Sequence, residues 1–491
     1  MNQSSAWIAQ EQQYYAQTVR RQPVVLVRGE GSRVWDADGK EYLDLVAGWA
    51  VNTLGHCHPV VTQAIAEQAA MLVQTSNQFY TVPQIRLAQL LVEQSCLERV
   101  FFSNSGADAN EGALKLARKY GKRHRGGAYE IITATNSFHG RTMATLAATG
   151  QPHYQAAFTP LQPGFVHVPY NDVAAIQRAT TDNTVAVLLE PVQGEGGVNL
   201  PAEDYLQRVR AWCDAQGLLL ILDEIQTGMG RLGRLFGYQA YGVEPDVMTL
   251  AKGLGYGVPI GALLSREHCM VLEPGDHGST FGGNVLTTAA AYAGTTYLLE
   301  HDIPTHVQHM GQHLLGHLHD LQARFACIAA VRGKGLLAAM EFHSDLAGQV
   351  LTRANAAGVL LNAVRPNTVR VMPPLTVTAP AAVTLRVAPL ADAPAITTIY
   401  NQGIEERIAT FETEPRTPEY LAAQLTAKGD TYPTVVVERA GLVVAWAGAG
   451  PYRSRPCYAG IAEHSVYVAR QARGTGVGRM ALEHLCQVYT A

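Results

Sequence analysis

The sequence predicts an α/β protein with a mostly parallel central sheet, flanking helices and small N- and C-terminal lobes. A second α/β module is expected to follow. Three observations carry this. Leu218-Leu219-Leu220-Ile221-Leu222 is continuously apolar and ends in Asp223-Glu224; Val247-Met248-Thr249-Leu250-Ala251 ends in Lys252. Runs apolar on both faces suit strands buried in a parallel sheet. Between Val100 and Tyr120 a short apolar run passes through a small-residue turn into a helical pattern, the alternation of a βα unit. Beyond Thr376 the pattern changes and a new set of strand and helix signals begins.

The first elements read as Val24–Val27 and Arg33–Trp35, two short strands before the turn Asp36-Ala37-Asp38-Gly39, in a small N-terminal lobe. His56 and His58 invite a metal reading. They lie two apart with no second ligand pair, so a turn into a helix over Val60–Met71 is expected, and no metal. Val100–Phe102 is a strand, followed by Ser103-Asn104-Ser105-Gly106-Ala107-Asp108 and a helix to about Tyr120. That helix gathers Ala109, Ala113, Leu116, Ala117 and Tyr120 on one face. The backbone N–H groups of Gly106 and Ala107, with Ser105 nearby, form a candidate phosphate site at the helix start. Ile131–Ala134 is a strand leading to Phe138-His139-Gly140-Arg141-Thr142. Phe138 could stack on a flat ring, and taken alone it reads equally as core. Arg141 is a candidate fork for a substrate carboxylate, or a surface ion pair.

Val185–Leu189 is a buried strand ending in Glu190-Pro191-Val192-Gln193-Gly194-Glu195-Gly196-Gly197, a polar rim. A helix over Asp204–Gln216 returns the chain to the strand that ends at Asp223. Gln226, three residues on, can share the face of Asp223. After Lys252, Gly253–Gly261 reads as a loop and not a helix. His277-Gly278-Ser279-Thr280-Phe281-Gly282-Gly283-Asn284 is a second small, hydroxyl-bearing loop that could hold phosphate, before a helix over Thr287–Glu300.

Composition sets the broad class. At 491 residues, length suggests about three structural units. A 47% hydrophobic share easily supports a large core, and a net charge of −4 gives no hint of nucleic acid or a membrane surface. The seven cysteines form no CxxC pair and are odd in number, which fits reduced thiols and a cytoplasmic setting. The polar N-terminus shows no signal core, and no run is long enough to span a bilayer.

A carboxylate at one buried strand end and an amine at another meet where ligands bind in open α/β sheets. Singly, Asp223 reads as a helix cap and Lys252 as a surface lysine. Together they are the pair that pyridoxal 5′-phosphate (PLP) needs: a Schiff-base lysine and an aspartate that keeps the pyridinium nitrogen protonated.

Ser103–Glu111, Phe138–Thr142, Glu190–Val198, Asp223–Gly230, Leu250–Leu254 and His277–Asn284 resemble, in order and spacing, the class III aminotransferases. That family includes enzymes acting on ornithine, N-acetylornithine and 4-aminobutyrate. The resemblance spans about residues 12–378 and implies the fold-type I PLP-dependent transferase architecture. It assigns the Schiff base to Lys252, the ring-nitrogen partner to Asp223, the ring hydroxyl contact to Gln226 and the ring stack to Phe138, with His139 beside the cofactor. Ser105, Gly106 and Ala107 would hold phosphate from one subunit and Thr280, with Ser279 beside the substrate, would come from the other. The resemblance therefore implies a homodimer with shared sites. Arg370 would take the α-carboxylate of glutamate, Glu195 would neutralise Arg370 when another donor binds, and Arg141 would hold the other substrate's carboxylate. The stretches Leu54–Pro59, Phe138–Gly150 and Val168–Asp172 resemble the members that pair N-acetylornithine with 2-oxoglutarate in arginine biosynthesis; ornithine, 4-aminobutyrate and succinylornithine are the alternatives.

The expected division is 1–378, a linker at 379–383, and 384–491. In the tail, Leu385–Ala388 starts a strand, Asp392–Glu406 is a helix, and Val435–Val437, Leu442–Ala447 and Ile461–Val468 are strands before a helix over Met480–Tyr489. Gln471, Arg473, Gly474, Gly476 and Gly478 form a phosphate-cradling turn into that helix. With Ile399–Asn401, Thr410–Glu412 and Ala462–Val468, it resembles the GNAT acetyltransferases of the phosphinothricin type. The resemblance implies acetyl-CoA at the turn and Glu463 as a base, though Glu463 reads equally as an ordinary strand carboxylate. Since the chain stops in this helix, the module is expected to be an incomplete GNAT fold.

Overall fold

The structure is a computed structural model. It describes residues 3–379, 383–407, 410, 412–429, 431–451 and 461–490, so Pro380–Ala382, Phe411 and Cys457 of the readings above lie outside the described residues. The chain divides into two compact units, Met1–Thr378 and Ala379–Ala491.

The first unit is built on a seven-stranded sheet. Its strands are β1 (Arg99–Ser103), β2 (Glu130–Ala134), β3 (Phe165–Val168), β4 (Thr184–Leu189), β5 (Leu219–Asp223), β6 (Val247–Leu250) and β7 (Gly261–Ser265), in the order β1-β7-β6-β5-β4-β2-β3. The pairs β6–β5, β5–β4, β4–β2 and β2–β3 are parallel, and β7 runs antiparallel between β1 and β6. Every residue of β4, β5 and β6 is buried. This is why those strands lack polar alternation: helices cover both faces of the sheet.

Helix α1 (Gly106–His124) follows β1. Ser105 caps it by accepting from Asp108 N, and Lys122, Arg123 and His124 occupy its last turn, where cations complement the helix dipole. The helix runs one turn beyond the expected Tyr120, and its small face lets it lie close to the sheet. At Gly121 a Cβ would stand 1.8 Å from the carbonyl oxygen of Ala128, so only glycine fits there.

Two four-stranded sheets flank the central one. The first contains Leu26–Glu30, Arg33–Asp36, Glu41–Asp44 and Val359–Leu360; the second contains Ile328–Lys334, Leu337–Phe342, Thr368–Val371 and Asn362–Arg365. The first strand starts at Leu26 and not Val24, because pairing with Arg33–Asp36 sets its extent. His56 bonds Asp44 at 2.7 Å and His58 packs edge-on against Tyr297, so the two rings serve separate contacts. Lys252–Gly255 forms a 3₁₀ turn where a loop was expected, closed by Leu254 N donating to Ala251 O at 2.8 Å.

The second unit is an antiparallel sheet of β8 (Val383–Val387), β9 (Thr434–Arg439), β10 (Leu442–Pro451) and β11 (Ala462–Val468), in that order. Helices α2 (Ala393–Glu406) and α3 (Pro418–Lys428) connect β8 to β9, and α4 (Val477–Thr490) follows β11. The sequence reading did not include α3; its signal is Thr417-Pro418, a cap and a first-turn proline. Helix α4 packs where Gly478 approaches Val466 and Val468, the face of β11 opposite to Tyr467.

Candidate active site

Strands β5 and β6 are parallel neighbours, so their carboxyl ends place Asp223 and Lys252 at one rim of the sheet. Both line a cavity of about 470 Å³, together with Ser105, Gly106, Ala107, Phe138, His139, Arg141, Glu190, Glu195 and Gln226. Twelve of the residues singled out from the sequence for the cofactor or substrate are Ser105, Gly106, Ala107, Phe138, His139, Arg141, Glu195, Asp223, Gln226, Lys252, Ser279 and Thr280. The first ten line this cavity.

Asp223 is 4% exposed and held by three groups. Its Oδ2 accepts from Asn110 Nδ2 at 2.8 Å and lies 2.8 Å from His139 Nδ1, while its Oδ1 accepts from Ile225 N at 3.1 Å. Asn110 is fixed in turn by donation to His139 O and by accepting from Thr249 Oγ1 on β6, both buried bonds. The carboxylate is thus oriented by α1, by β6 and by the 138–142 segment. Asn110 was missed in the sequence. Its only signal is a lone amide on the small-residue face of α1.

Lys252 is partly buried and lines the cavity. Burial drives its amine below the usual lysine range, against the pull of Glu195 and with the push of Arg370. Its backbone has φ +37°, a left-handed conformation rare for a side-chain-bearing residue and of the kind that marks functional sites.

Arg370 comes from the second flanking sheet and has no solvent exposure; it does not itself line the cavity but meets Glu195 and Gln226, which do. Its Nη1 donates to Glu195 Oε1 at 2.8 Å and to Gln226 Oε1 at 3.0 Å; its Nη2 donates to Asn362 Oδ1 at 2.8 Å. Gln226 also donates to Glu195 at 3.3 Å, so the three side chains form one network. Gly194 is required beside it, since a Cβ would fall 1.6 Å from Gln226 Oε1. Burial alone would raise the Glu195 carboxyl, but Arg370 and then Lys252 outweigh it and hold it at about 2. Glu190 lies one strand over, where burial pushes its carboxyl up to about 7 although it accepts from Phe138 N at 2.9 Å and Gly194 N at 3.1 Å.

Arg141 sits at the exposed mouth, its guanidinium 3.9 Å from the Tyr154 ring centroid and 5.5 Å from that of Phe138. Ser279 and Thr280 do not line the cavity. Ser279 accepts from Asn104 Nδ2 at 2.8 Å behind its wall, and Thr280 is exposed in a separate loop. In the second unit, Gly474 and Gly476 adopt φ +74° and +84° before α4. Arg473 there is ion-paired with Glu406 at 2.6 Å, Gln471 is exposed, and Gly478 serves helix packing against Val468.

PLP fits the donor set of the large cavity. An amine with no ion-pair partner among the described residues lines the same cavity as a fixed carboxylate, Phe138 offers a flat ring, and the N–H groups at the start of α1 line it too. His139 Nε2 is buried there with no hydrogen-bond partner among the described residues.

Comparison with known proteins agrees with this geometry. Residues 14–385 match the Aminotransferase class-III family model, and residues 399–491 match the Acetyltransferase (GNAT) family. An acetylornithine aminotransferase of Caldanaerobacter subterraneus subsp. tengcongensis is 49% identical over 372 residues, 76% of this chain and 95% of that protein. One from Methanocaldococcus jannaschii is 50% identical over 378 residues, 76% of this chain and 94% of that protein. The crystal structure of an ornithine aminotransferase from Toxoplasma gondii superposes with a TM-score of 0.74 at 37% identity, covering 77% of this chain and 92% of that one. An acetylornithine aminotransferase structure from Elizabethkingia anophelis gives 0.69 at 34% identity, covering 76% and 94%. The chain belongs to the class III aminotransferase family, with the fold-type I architecture of PLP-dependent transaminases, and it carries a GNAT-family unit at its C-terminal end.

Proposed function

We propose that this chain moves the amino group of N2-acetylornithine to 2-oxoglutarate, giving N-acetylglutamate 5-semialdehyde and glutamate, a step of arginine biosynthesis. The observation that carries the reading is the Glu195–Arg370 ion pair at the edge of the cavity that holds Lys252 and Asp223. A two-substrate transaminase must seat a substrate with a carboxylate near Arg370 and another without one. Glu195 neutralises Arg370 for the second and releases it for the first. Opposite charges this close in a partly dry site attract strongly, so the pair can act as a switch. The relatives named acetylornithine aminotransferase at 49% and 50% identity support N2-acetylornithine as the donor.

PLP, when bound, supplies a protonated ring that takes up negative charge from the carbon bearing the transferred nitrogen. Lys252 would attach it and afterwards carry the proton between the two carbons on either side of the transferred nitrogen. Its amine, lowered by burial, is suited to accept that proton. Asp223, fixed by Asn110 and His139, would keep the ring nitrogen protonated. Phe138 would cover one ring face, Gln226 would reach the ring hydroxyl, and Ser105, Gly106 and Ala107 would hold the phosphate. Arg141 at the mouth would take the donor's carboxylate.

The same reading includes a homodimer. Thr280 and Ser279 lie outside their own cavity, and Phe79, Tyr80, Val82, Ile85 and Phe281 are exposed apolar side chains nearby in sequence to that loop or its contacts. It also includes acetyl-CoA at the Gln471–Gly478 turn and a reducing, cytoplasmic setting, in keeping with Cys57, Cys96, Cys213, Cys269 and Cys327, which form no disulfide among the described residues.

The test compares kcat/KM for N2-acetylornithine, ornithine and 4-aminobutyrate with 2-oxoglutarate as acceptor. The expected result is a clear lead for N2-acetylornithine, lost by about 10²–10⁴-fold in Lys252→Ala. A lead for ornithine, the substrate in the name of the Toxoplasma gondii neighbour, would overturn the donor and keep the chemistry.

A further inference from the structure

Arg231 is 2% exposed, and the reaction above gives it no part. It follows Asp223 and Gln226 in the same rim segment. Its Nη1 donates to Leu336 O at 3.0 Å and to Pro373 O at 2.6 Å, and its own carbonyl accepts from Leu336 N at 3.1 Å. No carboxylate among the described residues bonds to it, and its Nη2 is buried without a hydrogen-bond partner among them. Burial first, and then the like charge of Arg370, lower its guanidinium to about 9, so it stays charged at neutral pH. Arginine is seldom fully buried unless paired, so a buried one without a carboxylate calls for an explanation.

The two carbonyls supply it. Leu336 leads into the strand Leu337–Phe342, and Pro373 lies two residues beyond the strand Thr368–Val371. These strands pair antiparallel, with Ala338 opposite Val371 and Ala339 opposite Arg370. The same register sets Leu336 opposite Pro373, which has no N–H to continue the ladder. Arg231 provides the missing rung: with two donated bonds and one accepted, it ties both strand ends to the rim segment. Gly335, at φ +57°, permits the approach, since a Cβ there would stand 2.5 Å from Arg231 O. The neighbouring Leu232 shares a hydrophobic cluster with Leu337, Ala339 and Met372. The ladder end behind Arg370 is thus fixed to the segment that carries Gln226, itself a partner of Arg370.

We propose, building on the Glu195 switch of the proposed function, that Arg231 is a positioning residue for the glutamate half of the reaction: by clamping Leu336 and Pro373 it keeps Arg370 in place when Glu195 lets go. While Glu195 pairs with Arg370, that guanidinium is held by Glu195, Gln226 and Asn362. Once Glu195 moves off for a substrate carboxylate, one of these holds is lost, and the backbone behind Arg370 decides where the carboxylate is met. The amino donor leaves the ion pair closed and depends on the clamp far less.

The test separates the two half-reactions in the PLP-loaded full chain. Stopped-flow absorbance of the cofactor gives one saturation constant for glutamate and another for the amino donor that leads the comparison above. Arg231→Met removes both donated bonds. It is expected to raise the constant for glutamate about tenfold or more, the worth of a lost hydrogen bond from a charged donor, and to leave that for the donor unchanged. Arg231→Lys keeps the charge but not the planar fork, and is expected to fall between wild type and Arg231→Met. Melting temperatures check folding, and if Arg231→Met does not fold, Arg231→Lys carries the same comparison. Equal weakening of both half-reactions would mark a merely structural residue and overturn the proposal. So would an unchanged glutamate constant in Arg231→Met, or a wild-type value in Arg231→Lys. A wild-type preference for a donor other than N2-acetylornithine would overturn that donor alone, and the Arg231 comparison would still decide.

Discussion

Arg370 shows how much one side chain can be asked to do. Its guanidinium is sealed from solvent, and Glu195, Gln226 and Asn362 hold its two terminal nitrogens; its Nε has no partner among the described residues. Glu195 depends on it in return. Burial would push that carboxyl up, and Arg370 first among its charged neighbours brings it to about 2. A carboxyl lowered from its ordinary 4.5 contributes stability above that value and loses it as pH falls toward 2. Removing one partner therefore leaves an uncompensated charge in a poorly solvated place. Arg370→Ala is expected to cost about 3–5 kcal/mol. The double change Glu195→Ala/Arg370→Ala is expected to cost less than the sum of the single ones. Denaturant titration of the four proteins checks this; additive costs would mean that the pair is not coupled.

At the scale of elements, the end of β5 is tied to the turn Gly237–Ala240 through Glu224. This buried carboxylate accepts from the N–H groups of Gly237 and Tyr238, the latter at 2.7 Å. Burial raises its carboxyl to about 7 despite those bonds, and Asp223 next to it adds to the rise. A carboxyl raised from 4.5 stabilises the fold fully below that pH and loses the contribution as pH rises through about 7. At about 1.36 kcal/mol per unit, the loss is about 3 kcal/mol. Glu190 titrates in the same window. Stability is expected to fall between pH 5 and pH 8, with about half of that slope removed in Glu224→Gln. Unfolding midpoints across this range decide it, and an unchanged slope would show that Glu224 stays ionised.

The buried strands β4, β5 and β6 could be read in the sequence because both of their faces are covered, which leaves long apolar runs. The Asp223 and Lys252 rim followed from where those runs end. The contacts that make the rim work could not be read. Asn110 and Asp223 lie 113 residues apart, and Glu195 and Arg370 lie 175 apart; no local pattern records such meetings. Only the likeness to a family pointed to Arg370. Helix α3 was passed over because its Thr417-Pro418 start stands in a mixed polar stretch without a sustained apolar stripe.

At the scale of the whole molecule, the two units have separate hydrophobic cores. The largest core of the first runs through residues from Leu54 to Leu375, whereas that of the second is confined to Ala393–Leu485. No residue belongs to both, so nothing in the apolar packing requires the units to unfold together. Denaturant unfolding is expected to show two transitions. Trp446 is the only tryptophan beyond residue 379, so its fluorescence reports the second unit. Leu485→Ala, at a site 3% exposed in the second core, is expected to lower one transition by about 2–5 kcal/mol and leave the other in place. Added PLP binds only the folded first unit under the proposed function, so it is expected to raise the other transition alone. If Leu485→Ala moved both transitions equally, or if PLP stabilised the Trp446 transition, the cores would be acting as one cooperative structure.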